Sequence, residues 1–191
     1  MMFARTPRLL LRPGWPEDAA ALHAAIADEG IVRNLAKAPW PYTLDDARAF
    51  LSRERDVRLP AFLIVKRTGG APHLVGGCGI GEREDGRLEL GYWIARPYWG
   101  LGFATEAAGA VLRAARAAGS RGIVASHFID NPASGRVMRK LGFRPAGSPT
   151  MRYSHGRARA DLCQDYEQSG EGDMRDDIAV QLYPDTEPLA A

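Results

Sequence analysis

Arg87 to Ala118 reads RLELGYWIARPYWGLGFATEAAGAVLRAARAA, and the fold turns on what this stretch becomes. Leu88 to Ala95 is rich in aromatic and β-branched residues, the composition of a strand. From Arg96 to Gly102 neither regular structure can continue, because Pro97 bars helix and Gly100 and Gly102 carry no Cβ. From about Ala104 to Ala118 the residues are nearly all Ala, Leu, Val, Arg and Glu, which favour helix, and Gly119 supplies the stop.

Strand, glycine turn and helix in this order form an anion site. The first N–H groups of the helix have no internal partner. Its dipole adds about half a positive charge at that end, and glycines let a phosphate reach the backbone. An ordinary tight turn has the same local sequence, so a lone G-x-G proves little. Two nucleotide-binding signatures fail outright. The Rossmann fingerprint needs a small residue where Thr105 sits and an acid about twenty positions on, and residues 120–124 hold none. The P-loop needs Gly-Lys-Ser/Thr at the helix start, which is absent.

Tyr92-Trp93-Ile94 followed by Trp99-Gly-Leu-Gly-Phe-Ala-Thr-Glu-Ala107 resembles the acetyl-CoA motif of the GNAT N-acetyltransferases, in the ribosomal-protein-alanine acetyltransferase (RimJ/RimL-like) branch. Two further blocks are similar to the same branch. One is Asn131-Pro-Ala-Ser134 with Lys140-Leu-Gly-Phe143. The other is Arg8-Leu-Leu-Leu-Arg12 with Asp18 and Pro39-Trp-Pro-Tyr-Thr43. The three stand in the expected order and cover about residues 6 to 147.

The resemblance implies an α/β (α+β) acyl-CoA N-acyltransferase fold. Its central sheet is mixed and mostly antiparallel, with six to seven strands, a splayed parallel pair and about four flanking helices. It implies transfer of an acetyl group from acetyl-CoA to a primary amine by direct attack, a protein N-terminal α-amine being one candidate acceptor. Ile94, Ala95 and Arg96 would meet the pantetheine and acetyl group. Gly100, Leu101, Gly102, Phe103, Ala104 and Thr105 would cradle the pyrophosphate. Asn131 caps its helix and would also bond the pantetheine. Many members of the wider superfamily place a tyrosine where Met138 stands, and methionine cannot donate a proton. Ser134 is then the residue to hold or protonate the leaving sulfur. Trp40, Tyr42 and Tyr92 are the acceptor-site residues, although the first two serve equally well as loop anchors. Glu89 is the candidate general base, against the plain reading of an exposed strand carboxylate. His127, Tyr92 and a water chain are the alternatives. A competing function is a degenerate fold that binds acyl-CoA without catalysis, as a sensor or interaction module. Trp99 and Met138 favour it; Asn131, Ser134 and the glycines weigh against it.

The chain has 191 residues and a 46% apolar fraction, enough for one packed domain. We expect that domain over residues 1–168, then a linker or tail over 169–191 with an added strand at 178–183 as an open reading. The net charge of +2 leaves no global field to favour nucleic acid or a membrane surface. Twenty-two of the 25 basic residues are arginine. No apolar run reaches the length of a membrane span, and the N-terminus lacks the apolar core of a signal peptide. Two cysteines without a C-x-x-C and four scattered histidines imply a reducing, cytoplasmic setting and no metal. The assembly is left open between monomer and homodimer.

The rest of the chain punctuates itself. Strands are expected at Leu9–Arg12, Ala61–Lys66, His73–Ile80, Gly122–Phe128, from Phe143 onward and at Ala160–Tyr166. Gly76, Gly77 and Gly79 mark a close backbone approach, and Asp85-Gly86 marks a hairpin turn. Pro16 opens a helix running to about Asp28 and stopped by Gly30. Thr43-x-x-Asp46 caps a helix from Leu44 to about Arg55. Asn131-Pro132 caps a third that ends at Gly142.

Overall fold

Alternation along Leu88–Ile94 puts Leu90, Tyr92 and Ile94 on one face of a sheet and Glu89 and Trp93 on the other, and each face carries its own core. A computed structural model describes residues 2–54, 56, 58–68, 70–168 and 180–183. Its strands are β1 (Phe3–Arg5), β2 (Leu9–Arg12), β3 (Ala61–Lys66), β4 (His73–Glu82), β5 (Leu88–Ile94), β6 (Val124–Phe128), β7 (Phe143–Ser154), β8 (Arg159–Gln168) and β9 (Gln181–Tyr183). Its helices are α1 (Ala19–Ile26), α2 (Glu29–Val32), α3 (Leu44–Ser52), α4 (Phe103–Ala117) and α5 (Pro132–Lys140).

The strands form one sheet in the order β7-β8-β6-β5-β4-β3-β2-β1-β9. Every pairing is antiparallel except β5 with β6. That parallel contact is short: Glu89 faces Val124 and Leu90 faces Ala125, and there it stops. Beyond it β5 runs on beside β4 while β6 follows β8, so the two parallel strands part. The expected splay is therefore present.

α4 and α5 pack on the Leu90 face. Ala107, Ala108, Ala110, Ala114 and Ala115 of α4 are all buried, and side chains this small let the helix lie close to the strands. α1, α2 and α3 cover the opposite face around Leu22, Ile26, Leu63 and Trp93. Gly77 of β4 makes room for Trp93. A Cβ at Gly77 would stand 2.6 Å from its indole nitrogen, so only glycine lets that ring lie across the strand.

The sheet has nine strands among the described residues, not six or seven. The additions β1 and β9 have three residues each, too few to show periodicity. β9 pairs with β1 along Phe3–Arg5. Of the expected tail, only residues 180–183 lie within the described residues. The helix expected from Pro16 to Asp28 is broken instead. A single 3-10 turn at Pro16–Asp18 leads into α1, which stops at Ile26. Asp28 then starts α2 by accepting a hydrogen bond from the Gly30 N–H, so Gly30 lies inside a helix rather than ending one. The capping box at Thr43 and Asp46 forms as expected. Its helix ends at Ser52, and the expected end at Arg55 falls outside the described residues. β8 returns between β6 and β7, which decides how the sheet closes.

Candidate active site

The gap between β5 and β6 opens into a cavity of about 460 Å³. On the α4/α5 side its wall includes Gly100, Gly102, Phe103, Ala104 and Thr105, then Asn131, Ser134, Arg136 and Lys140. On the other side it includes Leu35, Glu89, Ser126, Arg152 and Cys163. The cavity thus runs through the sheet at the one place where adjacent strands separate.

Gly100 and Gly102 both have positive φ, +77° and +80°. Gly102 is the N-cap of α4 and has no side chain to cap it. The first main-chain bond of this end runs from the Glu106 N–H to the Gly102 carbonyl. The N–H groups of Phe103, Ala104 and Thr105 precede it and belong to the unpaired first turn, which lines the cavity. Glu106, the acid of that turn, is buried and directed away to Thr6 and Arg8. An unpaired helix start therefore faces the cavity, and the acidic side chain of that turn does not occupy the space in front of it.

Along β5 the Ala95 N–H bonds to the Val75 carbonyl on the β4 side. By alternation the peptide groups of Tyr92 and Ile94 point the other way, into the gap. The Ile94 carbonyl there accepts a hydrogen bond from the Trp99 indole N–H at 2.6 Å. Tyr92 and Ile94 line the cavity, whereas Ala95, Arg96 and Leu101 do not. Ala95 is buried, Leu101 is exposed, and Arg96 lies 3.3 Å from Asp28 in an ion pair.

Ser134 sits in the first turn of α5, where its N–H bonds to the Asn131 side chain at 3.3 Å. Its hydroxyl is 2.8 Å from the Tyr92 hydroxyl, which also donates to the Ser134 carbonyl at 3.1 Å. Burial pushes the Tyr92 phenol well above its ordinary pKa, so it keeps its proton at neutral pH. Met138 is fully buried in the core and outside the cavity. Position 138 thus faces the core, while a tyrosine on β5 reaches Ser134. Its partner is 42 residues away in the chain, so spacing could not reveal the pair.

Glu89 is far from an exposed carboxylate. Arg152 donates to both of its oxygens, at 2.6 and 2.7 Å, and the Ser126 hydroxyl donates at 2.7 Å. Burial alone would raise its pKa, but the hydrogen bonds and charge of Arg152 outweigh that and hold it below the usual range. A carboxylate so engaged is a weak proton acceptor. The group links β5, β6 and β7 beside the point where the parallel strands part.

The pair gives a pH prediction of definite sign. Its stabilisation is complete above the unfolded pKa of a glutamate, about 4.3, and is lost as pH falls through the lower folded value. Arg152→Met would leave the buried Glu89 with only the Ser126 hydroxyl and Arg83, 3.8 Å away, and cost about 3 kcal/mol at pH 7. Protonation would relieve that variant, so its stability rises on going from pH 7 to pH 5 while that of the wild type does not. Urea denaturation at the two pH values checks this, and parallel curves would refute it.

Tyr42 is buried in the second core and Trp40 is half exposed; neither lines the cavity. Tyr42 is thus placed as a loop anchor, and Trp40 is not. His127 does line it, with a ring nitrogen 3.3 Å from the Tyr166 hydroxyl. Arg136, outside every motif, and Lys140, the first residue of the Lys-Leu-Gly-Phe block, add two cations to the α5 wall. They lie four residues apart on one helix face, a signal that a helix beside the glycine turn carries in retrospect. Among the described residues no group of three His, Cys, Asp or Glu side chains could hold a metal ion. Among the described residues no helix is long and apolar enough to cross a membrane.

Two curated relatives share part of this sequence. An uncharacterized N-acetyltransferase, p20 from Bacillus licheniformis, is 33% identical over 53% of this chain, which spans 59% of its length. A second, YoaA from Bacillus subtilis (strain 168), is 28% identical over 74% of this chain and 82% of its own. Among solved structures, a GNAT-family acetyltransferase from Bacillus anthracis superposes with a TM-score of 0.72 at 25% identity, covering 86% of this chain and 96% of its own. The ribosomal L7/L12 α-N-protein acetyltransferase RimL, solved with coenzyme A, reaches 0.70 at 19% identity, covering 87% and 97%. That likeness is one of fold. The model of the acetyltransferase (GNAT) domain matches residues 8–144, which holds the splayed strands, the glycine turn and the Ser134 helix together. With that match extending over most of its length, the chain belongs to the GNAT acetyltransferase family.

Proposed function

We propose that the protein is an N-acetyltransferase that takes the acetyl group of acetyl-CoA and places it on a primary amine. The observation that carries this reading is the Tyr92–Ser134 pair at the wall of the strand gap, with the glycine turn beside it. An anion cradle alone would suit a sensor. A hydroxyl couple in the same cavity suits a reaction with a departing thiolate.

The chain's residues divide the work. The N–H groups of Phe103, Ala104 and Thr105, with Arg136 and Lys140, meet the phosphates. The Ile94 N–H, pointing into the gap, meets the acetyl carbonyl and stabilises the charge that forms on its oxygen. The amine enters from the Leu35 and Arg152 side and attacks that carbonyl. The carbon–sulfur bond breaks, and the proton the amine gives up ends on sulfur. Ser134 hydrogen-bonds the developing thiolate, and Tyr92 supports Ser134 as a donor that itself stays protonated. Glu89 keeps its charge and fixes Arg152 rather than accepting the proton. The acceptor's chemistry is that of an amine with room around it, a protein N-terminal α-amine among the candidates.

The test is thermal unfolding with and without acetyl-CoA, followed by a free-thiol assay against a panel of amines. Ligand at a hundred times its Kd adds about 2.7 kcal/mol and shifts Tm by several degrees. A shift with thiol release for one amine class establishes the enzyme. A shift without release from any amine supports the non-catalytic binder. No shift removes the reading altogether.

A further inference from the structure

The motif Thr6-Pro7-Arg8 stands before β2, outside the cavity, and the proposed reaction does not use it. Its side chains nonetheless converge on the glycine turn, nearly a hundred residues away. The Thr6 hydroxyl donates to Glu106 Oε1 at 2.6 Å, and the Arg8 main-chain N–H donates to the same oxygen at 3.0 Å. Arg8 Nε donates to Glu106 Oε2 at 2.6 Å, and Nη2 lies 2.6 Å from that oxygen. Glu106 is 5% exposed, so this is a buried carboxylate whose two oxygens are both engaged.

The rest of the guanidinium reaches the turn itself. Arg8 Nη1 donates to the Leu101 carbonyl at 2.9 Å, and Nη2 would lie 3.4 Å from a Cβ built on Gly102. The guanidinium carbon lies 4.7 Å from the centre of the Phe103 ring. One side chain therefore bonds the Leu101 carbonyl and lies over Phe103 while anchored to the first turn of α4. The Leu101 carbonyl and the Gly102 N–H share one peptide plane, so holding the carbonyl fixes that N–H, and the Glu106 anchor fixes the turn whose N–H groups follow.

We propose that Arg8, held by Glu106 and Thr6, is the positioning residue of the diphosphate cradle: it clamps the Leu101 carbonyl and so pre-aims the N–H groups at residues 102–105. Arg8 touches no substrate in this arrangement. It acts through the turn, and it sets affinity for the diphosphate half of the cosubstrate rather than for the pantetheine half. The proposal rests on the acetyl-CoA reading above.

Calorimetry on the full chain with two probes tests it: coenzyme A, and S-acetylpantetheine, which lacks the diphosphate and adenosine. Arg8→Met keeps the stem over Phe103 and removes the fork. We expect the Kd for coenzyme A to rise at least about tenfold, the scale of losing charge-assisted hydrogen bonds, with that for S-acetylpantetheine within about twofold. Arg8→Lys keeps the charge beside Glu106 but cannot also reach Leu101. It keeps the fold in the event that Arg8→Met loses it, and should still lose coenzyme A affinity selectively. Equal loss of both probes would mean a merely structural role and overturns the clamp, as would unchanged binding. Failure of the wild type to bind coenzyme A would instead overturn the acetyl-CoA reading.

Discussion

Gly102→Val is expected to weaken acetyl-CoA binding at least about a hundredfold, or about 2.7 kcal/mol. Gly102 has φ +80° and ψ 5°, a left-handed conformation that costs a non-glycine residue about 1–3 kcal/mol and a β-branched one most. A Cβ here would lie 3.4 Å from Arg8 Nη2, an ordinary contact, so the cost is one of backbone strain. The turn can relieve it only by rotating its peptide planes, and the N–H groups that start α4 rotate with them. Phe103 is almost fully buried, so the helix itself stays anchored and the damage concentrates at the cradle. Titration calorimetry with coenzyme A measures this directly. Unchanged affinity with an intact fold would sink the assignment of the turn.

Ser134→Ala should lower kcat by about a hundredfold, within the range of a lost proton-transfer partner, and leave the Kd for acetyl-CoA nearly unchanged. The split follows from geometry. Ser134 contributes one hydroxyl to the α5 wall, and the proposed phosphate cradle lies at the glycine turn and the start of α4. Tyr92→Phe should cost less, because Ser134 remains in place without its donor. The double variant should then be little worse than Ser134→Ala, since the two hydroxyls act as one unit 2.8 Å apart. Steady-state kinetics on the three variants decides it. Additive losses would mean that the hydroxyls act independently, and full turnover in Ser134→Ala would remove it from the mechanism.

Much of the frame was legible because its signals are local. β5, the glycine turn and α4 declare themselves through residue type within about 30 positions, and so do the caps at Thr43 and Asn131. The cradle residues Gly100, Gly102, Phe103, Ala104 and Thr105 do line the cavity. Trp40 and Tyr42 looked like pocket walls because aromatic residues in a loop suit that role. Whether such a ring faces a cavity or a core depends on the helices packed over it, and α1 and α3 claim Tyr42. Glu89 looked like a free carboxylate because its partner Arg152 lies 63 residues on, in a strand whose pairing the sequence left open.

The sequence by itself determined β5, the glycine turn, α4, the caps at Thr43 and Asn131 and the family to which the chain belongs. Period, caps and the absence of Cβ atoms act between near neighbours and need no tertiary context. The tertiary structure alone decided what charge and hydroxyl groups do. It set Tyr92 against Ser134, Arg152 against Glu89, and Arg8 across the glycine turn onto Glu106. Each of those pairs joins elements from different parts of the sheet order. A hydrogen bond exists only within about 3 Å, and that distance is fixed by how strands stack and splay rather than by any spacing along the chain.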